Sequence, residues 1–370
     1  MEAPKPLTYP PAPTALVSRG ERKGPVAQQW EGEGVRRGGP NTLYIGDVCV
    51  AGRVLLAPMT GVTDLPFRRL VSKLGAPYVA TEMVACDALA HGRTDAVRRA
   101  AVGEGLPLMV VQLVGREAAW MASGARLAEA AGAQVIDINM GCPAREVTGG
   151  LSGSALMRDL DHALTLVRAT VDAVARPVTL KMRLGWDDRS RNAPELAARA
   201  EAAGVKAITV HARTRAQFYK GEADWTAVAE VKTATGLPVI VNGDIGCLET
   251  AVEAMRRSGA DAVMIGRGAY GRPWVVAALN QALQTGQAPA EPGPEERLAI
   301  VLEHMAASLD FYGESLGLKV FRKHLGWYVQ HAPWPADPVA RRAAKAELCQ
   351  IETGAEVEAG LRRLWMNGAG

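Results

Sequence analysis

Cys142 is the residue of this chain whose surroundings most favour chemistry. It follows the apolar run 135–138, which predicts a short buried strand, and Asn139, Gly141 and Pro143 then break the chain around it. A loop at the carboxyl end of a strand is where barrel and doubly wound enzymes carry their reacting groups. A lone cysteine is usually buried and inert, so the loop context is what makes this thiol a candidate for chemistry.

Polar residues and glycines also lie in or just past the other apolar strands that the sequence predicts. One of them could be a satisfied core group, but burying many without partners is costly, so their convergence on one rim indicates a site. Besides Cys142, the candidates are Pro58, Met59, Thr60, Gln112, Asn139, Lys181, His211, Arg213, Asn242, Gly243, Asp244, Gly266 and Arg267.

Three of these segments indicate particular chemistry. Lys181 lies within the apolar run 178–182. A buried charged lysine needs an anion, which could be a bound group or a structural carboxylate. The alternative is a lysine that forms a Schiff base with a carbonyl substrate. The segments 242–244 (Asn-Gly-Asp) and 266–267 (Gly-Arg) suit a phosphate cradle, because glycine admits close backbone approach and arginine adds charged donors. Asn-Gly-Asp is also a plain turn.

The elements that must position these residues alternate between strands and helices. Eight predicted strands separated by Ala-rich helical stretches favour an α/β fold, a (β/α)₈ TIM barrel. A doubly wound sheet is the alternative, supported by a G-x-G-x-x-G match at 266–271, but this match follows the last strand instead of opening the domain. The predicted strands are 54–57, 78–82, 108–113, 135–139, 178–182, 207–212, 239–242 and 262–267.

Composition divides the chain into four parts. Residues 1–42 are rich in Pro, Gly and charge and predict a disordered tail, 43–285 form the barrel domain, and 286–294 form a linker. Residues 295–370 predict a helical domain of three or four helices. Its nine Lys/Arg against ten Asp/Glu in 295–366 leave it without a net basic charge.

The overall composition is that of an ordinary soluble globular protein. Of 370 residues, 48% are hydrophobic and 22% charged, and the formal net charge is +3. No apolar run approaches the roughly 18 residues that span a bilayer, so no membrane association is expected. Five scattered cysteines fit neither a disulfide framework nor a zinc site, and favour a metal-free protein of the reducing cytoplasm. We expect a monomer.

The motifs together resemble those of the tRNA-dihydrouridine synthases, most closely the bacterial B-type branch. The resemblance covers about residues 43–330. It rests on NMGCPA at 139–144, LSGSAL at 151–156, LAPMTGVTDLPFR at 56–68, PVTLKMRLGW at 177–186, HARTR at 211–215, VNGD at 241–244 and MIGRG at 264–268.

The resemblance implies an FMN enzyme, reduced by NADPH or NADH, that reduces the 5,6 double bond of a D-loop uridine in tRNA. Cys142 would donate a proton to uracil C5, and Lys181 would stabilise negative charge on the reduced flavin ring. Asn139 would bind the uracil edge. His211 and Arg213 would hold the flavin phosphate or the base, and we place His211 with the cofactor and Arg213 with the substrate. The other expected FMN contacts are Pro58, Met59, Thr60, Gln112, Asn242, Gly243, Asp244, Gly266 and Arg267.

The expected tRNA contacts lie on one face of a C-terminal helix. Lys319, Arg322 and Lys323 are spaced i, i+3, i+4, which suits phosphate contact, although charge alone equally describes a solvated helix face. The resemblance favours tRNA.

Two other functions remain: an FMN barrel of the dihydroorotate dehydrogenase type acting on a free pyrimidine, and a non-catalytic tRNA-binding protein.

Overall fold

A closed barrel of parallel strands forms the centre of the molecule. The computed structural model describes residues 41–366, apart from 104, 105, 107 and 288–290. The strands pair in parallel around the barrel in chain order, except that two short strands share the second position and both pair with the strand that follows them. The last strand pairs with the first, which confirms the predicted (β/α)₈ barrel. The barrel strands are β3 (Val54–Leu56), β4 (Val79–Ala80), β5 (Val84–Ala85), β6 (Met109–Val114), β7 (Val135–Met140), β8 (Val178–Arg183), β9 (Ala207–His211), β10 (Val239–Asn242) and β11 (Ala262–Ile265).

The second barrel position is split, where the sequence predicted one strand over 78–82. Between β4 and β5, the Thr81 hydroxyl accepts a hydrogen bond of 3.0 Å from the Gln112 backbone N–H and so replaces a ladder carbonyl. The Glu82 carboxylate meanwhile accepts from the Gly61 N–H at 2.6 Å. Because the Thr81 hydroxyl accepts this bond in place of a backbone carbonyl, the hydrogen-bond ladder of β4 ends here. The Glu82 side chain is then directed toward the loop after β3.

Alternation along each strand separates a barrel interior from a helix-covered exterior. On β7, Val135 and Asp137 are buried on the opposite face from Ile136 and Ile138, which belong to the apolar layer under the helices. The helices covering the barrel are α1 (Leu65–Lys73), α2 (Cys86–Ala90), α3 (Thr94–Arg99), α4 (Ala118–Ala130), α5 (Arg145–Gly149), α6 (Leu160–Val171), α7 (Ala193–Ala202), α8 (Ala227–Ala234), α9 (Leu248–Ser258) and α10 (Val275–Thr285), with 3₁₀ turns at Gly153–Arg158 and Arg267–Ala269.

Four further helices lie beyond residue 290 in the described chain and belong to the same compact unit as the barrel. Their apolar side chains, among them Phe321, Leu325 and Leu361, form a core of their own. They dock on the barrel through the Tyr312 hydroxyl, which donates to Asp64 at 3.1 Å, and through other contacts near the barrel mouth. The helices are α11 (Pro294–Tyr312), α12 (Glu314–Gln330), α13 (Pro338–Gln350) and α14 (Gly354–Met366).

Three features concern the ends of the predicted domains. An antiparallel hairpin, β1 (Leu43–Ile45) and β2 (Val48–Val50), precedes the barrel and was not predicted. Helix α10 ends at Thr285 and α11 begins at Pro294, so the predicted linker is shorter by one residue at its end. The tail predicted for 1–42 lies outside the described residues, apart from 41 and 42.

Within the described chain, no helix has the length and apolarity needed to cross a membrane.

Candidate active site

The carboxyl ends of the barrel strands surround a cavity of about 810 Å³, a size typical of small-molecule sites. Because parallel strands end at the same rim, residues far apart in sequence meet here, including nearly all barrel residues that the sequence indicated. Those in the wall are Pro58, Met59, Thr60, Gln112, Asn139, Cys142, Lys181, His211, Asn242, Gly243, Asp244, Gly266 and Arg267.

Cys142 is half-buried in the loop after β7, and its thiol lines the cavity wall. Its carbonyl accepts two hydrogen bonds from Ser154, from the hydroxyl at 2.8 Å and from the backbone N–H at 3.1 Å. Burial raises the pKa of the Cys142 thiol above its ordinary value, although the charges of Arg183 and Lys181 oppose the shift. The thiol is therefore protonated at neutral pH and can donate a proton.

A chain of side-chain hydrogen bonds runs from inside the barrel to the Cys142 loop. The buried Asp137 carboxylate accepts from the Thr179 hydroxyl and from Gln112 Nε2, each at 2.6 Å. Gln112 Oε1 then accepts from Asn139 Nδ2 at 2.8 Å, and Asn139 Oδ1 accepts from the Cys142 N–H at 2.9 Å. Burial raises the pKa of the Asp137 carboxyl group above its ordinary value, while the hydrogen bonds from Thr179 and Gln112 oppose the increase. Gln112 Nε2 can only donate, so its contact with Asp137 orients the Gln112 amide and, through it, the Asn139 amide.

This chain limits what Asn139 can offer to a ligand. Its Oδ1 also accepts from the Gly141 N–H at 3.1 Å, so the oxygen already holds two backbone donors of the loop. One N–H of its amide is used by Gln112, and the amide nitrogen lies 4.0 Å from the sulfur of Met83. Contact of Asn139 with a uracil edge stays a prediction, and in this geometry Asn139 would act as a hydrogen-bond donor.

We expect Asp137→Leu to destabilise the fold by about 2–5 kcal/mol, because the Thr179 hydroxyl and the Gln112 amide each lose a buried partner. Asp137→Asn should cost about 1 kcal/mol or less, since its oxygen can accept from Gln112 and its amide can donate to Thr179. Urea unfolding of the two variants measures the difference. Equal losses of unfolding free energy would show that the charge of Asp137, and not its hydrogen bonding, is what the barrel requires.

Lys181 crosses the cavity floor from β8 to β10. Its Nζ donates to Asn242 Oδ1 at 3.2 Å, and Asn242 Nδ2 donates to the Met264 carbonyl at 2.7 Å, which fixes the amide. Burial lowers the pKa of Lys181 to about 8, while the negative charge of Asp137 opposes the decrease. In the described part of the chain this ammonium has no ion-pair partner within 4 Å, so it is available to an anionic ligand.

Cationic groups surround His211 at the same side of the cavity. Burial, and then the charges of Arg183, Lys181, Arg213 and Arg267, lower the pKa of His211 well below its ordinary value. The imidazole is therefore neutral at physiological pH. A concentration of positive charge beside a neutral imidazole suits an anion such as a phosphate or an electron-rich ring.

Glycines let two loops pack closely where β10 and β11 end. A Cβ on Gly268 would lie 2.5 Å from the Ile245 carbonyl oxygen, so only glycine fits that contact. Gly243 and Asp244 have φ of 122° and 54°, in the left-handed region. Arg267 donates to Asp244 at 3.1 Å, with its own side chain half exposed. These two loops are the ones for which the sequence predicts a phosphate cradle, and the Arg267 guanidinium lies at their edge, while phosphate binding itself stays a prediction.

Arg213 lies behind the cavity wall and not in it. Its side chain is 2% exposed. It pairs with Asp244 and donates to the carbonyls of Lys220 at 3.2 Å and Gly221 at 2.7 Å. These bonds hold the loop after β9. Direct contact of Arg213 with a substrate finds no support in this placement, and we assign it to the support of that loop.

The same loop brings two wall residues that the sequence analysis did not single out. Phe218 and Tyr219 line the cavity with side chains left 42% and 44% exposed. Phe218 has φ of 56°, which costs a non-glycine residue roughly 1–2 kcal/mol. No motif or periodicity marks these positions, because the loop conformation depends on contacts with other strands.

The three C-terminal cations do not share one environment. Lys319 and Lys323 are exposed, and a Cβ on Gly61, next to Thr60 in the wall, would lie 2.5 Å from Lys323 Nζ. Arg322 is half-buried and donates to the Ile351 carbonyl at 3.2 Å, which ties α12 to the segment before α14. Lys323 thus lies at the cavity rim, whereas Arg322 has a structural contact.

Comparison with known proteins identifies close relatives over most of the chain. A family model described as dihydrouridine synthase matches residues 55–363. A probable tRNA-dihydrouridine synthase of Rhizobium leguminosarum bv. phaseoli is 54% identical over 281 residues, which cover 76% of this chain and 86% of the relative. The tRNA-dihydrouridine synthase B of Pseudomonas aeruginosa is 45% identical over 295 residues, covering 79% and 88%.

Solved structures share the fold at low sequence identity. Histamine dehydrogenase from Rhizobium sp. 4-9 aligns with a TM-score of 0.51 and 14% identity over 72% of this chain and 50% of that chain. A 2-naphthoyl-CoA reductase aligns with a TM-score of 0.53 and 12% identity, covering 67% and 52%. This chain therefore spans about half the length of either protein, and the likeness concerns the barrel fold.

Proposed function

The chain belongs to the dihydrouridine synthase family, and we propose that it reduces the uracil 5,6 double bond of a D-loop uridine in tRNA. The observation that carries the proposal is one cavity lined by the protonated thiol of Cys142 and the ammonium of Lys181. Reduction of a carbon–carbon double bond adds a hydride and a proton, so such a site needs a proton donor. The family's B-type members, among them the Pseudomonas aeruginosa enzyme, support the assignment.

We propose FMN as the cofactor and NADPH as the reductant. The donor set fits this group: Lys181 would face the flavin ring, and Arg267 with the glycine loops after β10 and β11 would hold the phosphate. Neutral His211 can donate one hydrogen bond to either part. When bound, FMN would supply the hydride that reaches uracil C6.

Cys142 would complete the reaction by proton transfer. Hydride addition at C6 leaves negative charge at uracil C5, and the Cys142 S–H bond breaks as the C5–H bond forms. The electron pair of the S–H bond stays on sulfur as a thiolate, which solvent reprotonates. The Asp137–Gln112–Asn139 chain fixes the backbone of the Cys142 loop, so the thiol is held in place before the substrate arrives.

The proposal is tested by mass spectrometry of tRNA. Recombinant protein, FMN and NADPH should convert a uridine in the D-loop of unmodified tRNA to dihydrouridine, with a mass increase of about 2 Da, and tRNA from a deletion strain should lack that modification. Purified protein should be yellow with non-covalently bound FMN. Protein that binds no FMN on reconstitution, or that leaves tRNA unchanged with both FMN and NADPH present, would contradict the proposal.

For tRNA binding, we propose the exposed cations of α12. Lys319 and Lys323 point to solvent one helical turn apart, and Lys323 reaches the loop at Gly61 beside the cavity. A polyanion that places one base in the cavity would keep its backbone outside, where these ammonium groups lie. We propose that the protein acts on tRNA as a monomer in the cytoplasm.

Changing Lys319 and Lys323 together to Glu should weaken tRNA binding roughly tenfold or more, because two phosphate contacts become repulsive. The slope of log Kd against log salt should fall by about 1.5, at about 0.7–0.9 for each lost contact. Filter binding over a salt series measures both. Arg322 is left unchanged, because it contacts the Ile351 carbonyl.

The matched control is Lys206→Glu. Lys206 is exposed and directly precedes β9, at the opposite end of the barrel from the cavity. Its reversal should leave tRNA affinity nearly unchanged. Equal losses in the two variants would indicate a general charge effect and would remove α12 from the proposed interface.

A further inference from the structure

An aromatic pair projects from the loop after β9 at the cavity mouth. The Phe218 and Tyr219 rings meet edge to face, with centroids 5.0 Å apart and an angle of 86° between planes. Tyr219 is flanked by the guanidinium groups of Arg267, 4.9 Å from its centroid, and Arg183, at 5.4 Å. Both rings stay more than two-fifths exposed although they line the cavity.

Two arginines with very little exposed surface hold this loop in place. Arg183 donates to the carbonyls of Gly141 at 2.8 Å, Thr214 at 3.0 Å and Phe218 at 2.8 Å. Arg213 holds the following carbonyls, at 220 and 221. Counted over the whole residue, the exposed fraction of each arginine is 1%. Charged donors thus tie this loop to the Cys142 loop and fix the backbone at Phe218.

The position of Phe218 is unfavourable for the protein by itself. Its φ of 56° belongs to the left-handed region, and 42% of its surface stays exposed to water. The recorded ring contact of Phe218 is with Tyr219, which is itself exposed. A strained backbone that exposes a large apolar ring at a cavity mouth indicates a ligand-contact role.

We propose that Phe218 stacks on the nucleobase next to the target uridine, an inference that rests on the proposed function. The target base has to reach Cys142 inside the cavity, so its neighbour in the strand remains at the mouth, where this ring is presented. Every nucleobase has a flat π-face, and stacking on an aromatic side chain is how proteins bind unpaired bases.

The first test separates ligand contact from structural support. Phe218→Gly removes the ring and relieves the left-handed φ, so the melting temperature should stay unchanged while the Kd for tRNA rises about 5- to 100-fold. Phe218→Trp should retain affinity, and Phe218→Leu, apolar without an aromatic face, should lose it. Val252→Ala, which removes an exposed apolar side chain from α9 outside the cavity wall, is the matched control and should bind normally.

A double-mutant cycle identifies the partner base. The modified uridine is first located by mass spectrometry with wild-type enzyme, and tRNAs with an abasic site on its 5′ or 3′ side are then compared. If Phe218 stacks on a flanking base, one abasic tRNA should bind wild type and Phe218→Gly equally weakly. Additive losses with both abasic tRNAs, normal affinity of Phe218→Gly, or a lowered melting temperature without loss of affinity would each overturn the proposal.

The cycle also separates this inference from the proposed function. Wild-type enzyme that forms no dihydrouridine would contradict the proposed reaction before any Phe218 variant is compared. Normal dihydrouridine formation with an unaffected Phe218→Gly variant would contradict the stacking inference and leave the reaction standing.

Discussion

Cys142→Ala should slow transfer of reducing equivalents to tRNA by about 10²–10⁴-fold, the usual contribution of a positioned general acid. The variant removes the protonated thiol at the carboxyl rim of β7. It leaves the Asn139 contact with the backbone N–H of residue 142, which does not depend on the side chain. The loop should therefore keep its shape, and the defect should lie in proton delivery to uracil C5.

Anaerobic stopped-flow measurement separates the two half-reactions. Reduction of bound FMN by NADPH should proceed at the wild-type rate in Cys142→Ala, whereas reoxidation by tRNA should be slow. Cys49→Ala is the control, because Cys49 is an exposed thiol on β2 outside the cavity wall. Reoxidation at the wild-type rate with full dihydrouridine yield would mean that another group, or water, supplies the proton.

The pH dependence of the tRNA half-reaction gives an independent check on Cys142. Burial raises the pKa of this thiol, so the proton-bearing form persists through neutral pH. The reoxidation rate should be constant there and fall only in the alkaline range above the ordinary thiol pKa. Cys142→Ala should lack that alkaline decrease. A wild-type rate that already falls below neutral pH would exclude this thiol as the donor.

Lys181→Met should weaken FMN binding by about 10- to 150-fold, the equivalent of losing a charge-assisted contact of roughly 1.5–3 kcal/mol. Lys181 is the cation that crosses the cavity floor, and methionine keeps much of its length without the charge. Equilibrium titration of apoprotein with FMN, followed by flavin fluorescence, measures the change without requiring turnover. An unchanged Kd would remove Lys181 from the proposed cofactor site.

The same variant should be no less stable than wild type as apoprotein at neutral pH. The folded-state pKa of Lys181 is about 8, against 10.5 for the unfolded chain, so folding disfavours its charged form. Below pH 8 the charge of Lys181 lowers the unfolding free energy of the wild type by at most on the order of 3 kcal/mol. Lys181→Met removes this penalty, but part of the gain in stability is lost because Asp137 then lacks its counter-charge.

The sign of this effect can be measured against pH. Between about pH 8 and 10.5 the unfolded chain binds more protons than the folded chain at Lys181, so this group's contribution to wild-type stability rises with pH. The difference in unfolding free energy between Lys181→Met and wild type should therefore shrink across that interval. Lys206→Met, at the opposite end of the barrel, should show no such trend. A gap that widens with pH would contradict the assigned direction of the shift.

The sequence alone determined the barrel and the membership of its site. Apolar runs separated by helical stretches predict parallel strands, and parallel strands end at one rim, so Gln112, Cys142, Lys181 and Asn242 could be placed in one site before any contact was known. The structure confirms the predicted strands to within two residues at their ends, except that the strand predicted at 78–82 is divided into β4 and β5. The motif resemblance to the family was likewise a property of the sequence, and the relatives confirm it.

Tertiary structure decided which of those side chains are free to act. Arg213 lies just past the end of β9, much as Lys181 lies near the end of β8. Its guanidinium group, however, is already bonded to Asp244 and to two carbonyls of its own loop. The side-chain oxygen of Asn139 accepts a hydrogen bond from the Cys142 loop. Asp137, inside the barrel, orients the Asn139 amide through Gln112. Hydrogen-bond partners are contributed by other strands, so no local pattern reports whether a polar group is still available.

The cavity mouth was also beyond local inference. Phe218 lies in a stretch without periodicity, and its backbone position depends on Arg183 of β8 and on Arg213, which follows β9 in the same loop. Lys319, Arg322 and Lys323 share a helical spacing, but docking of α12 on the barrel puts Lys323 at the rim and Arg322 against Ile351. Helical periodicity fixes which residues share a face, whereas long-range packing fixes what that face meets.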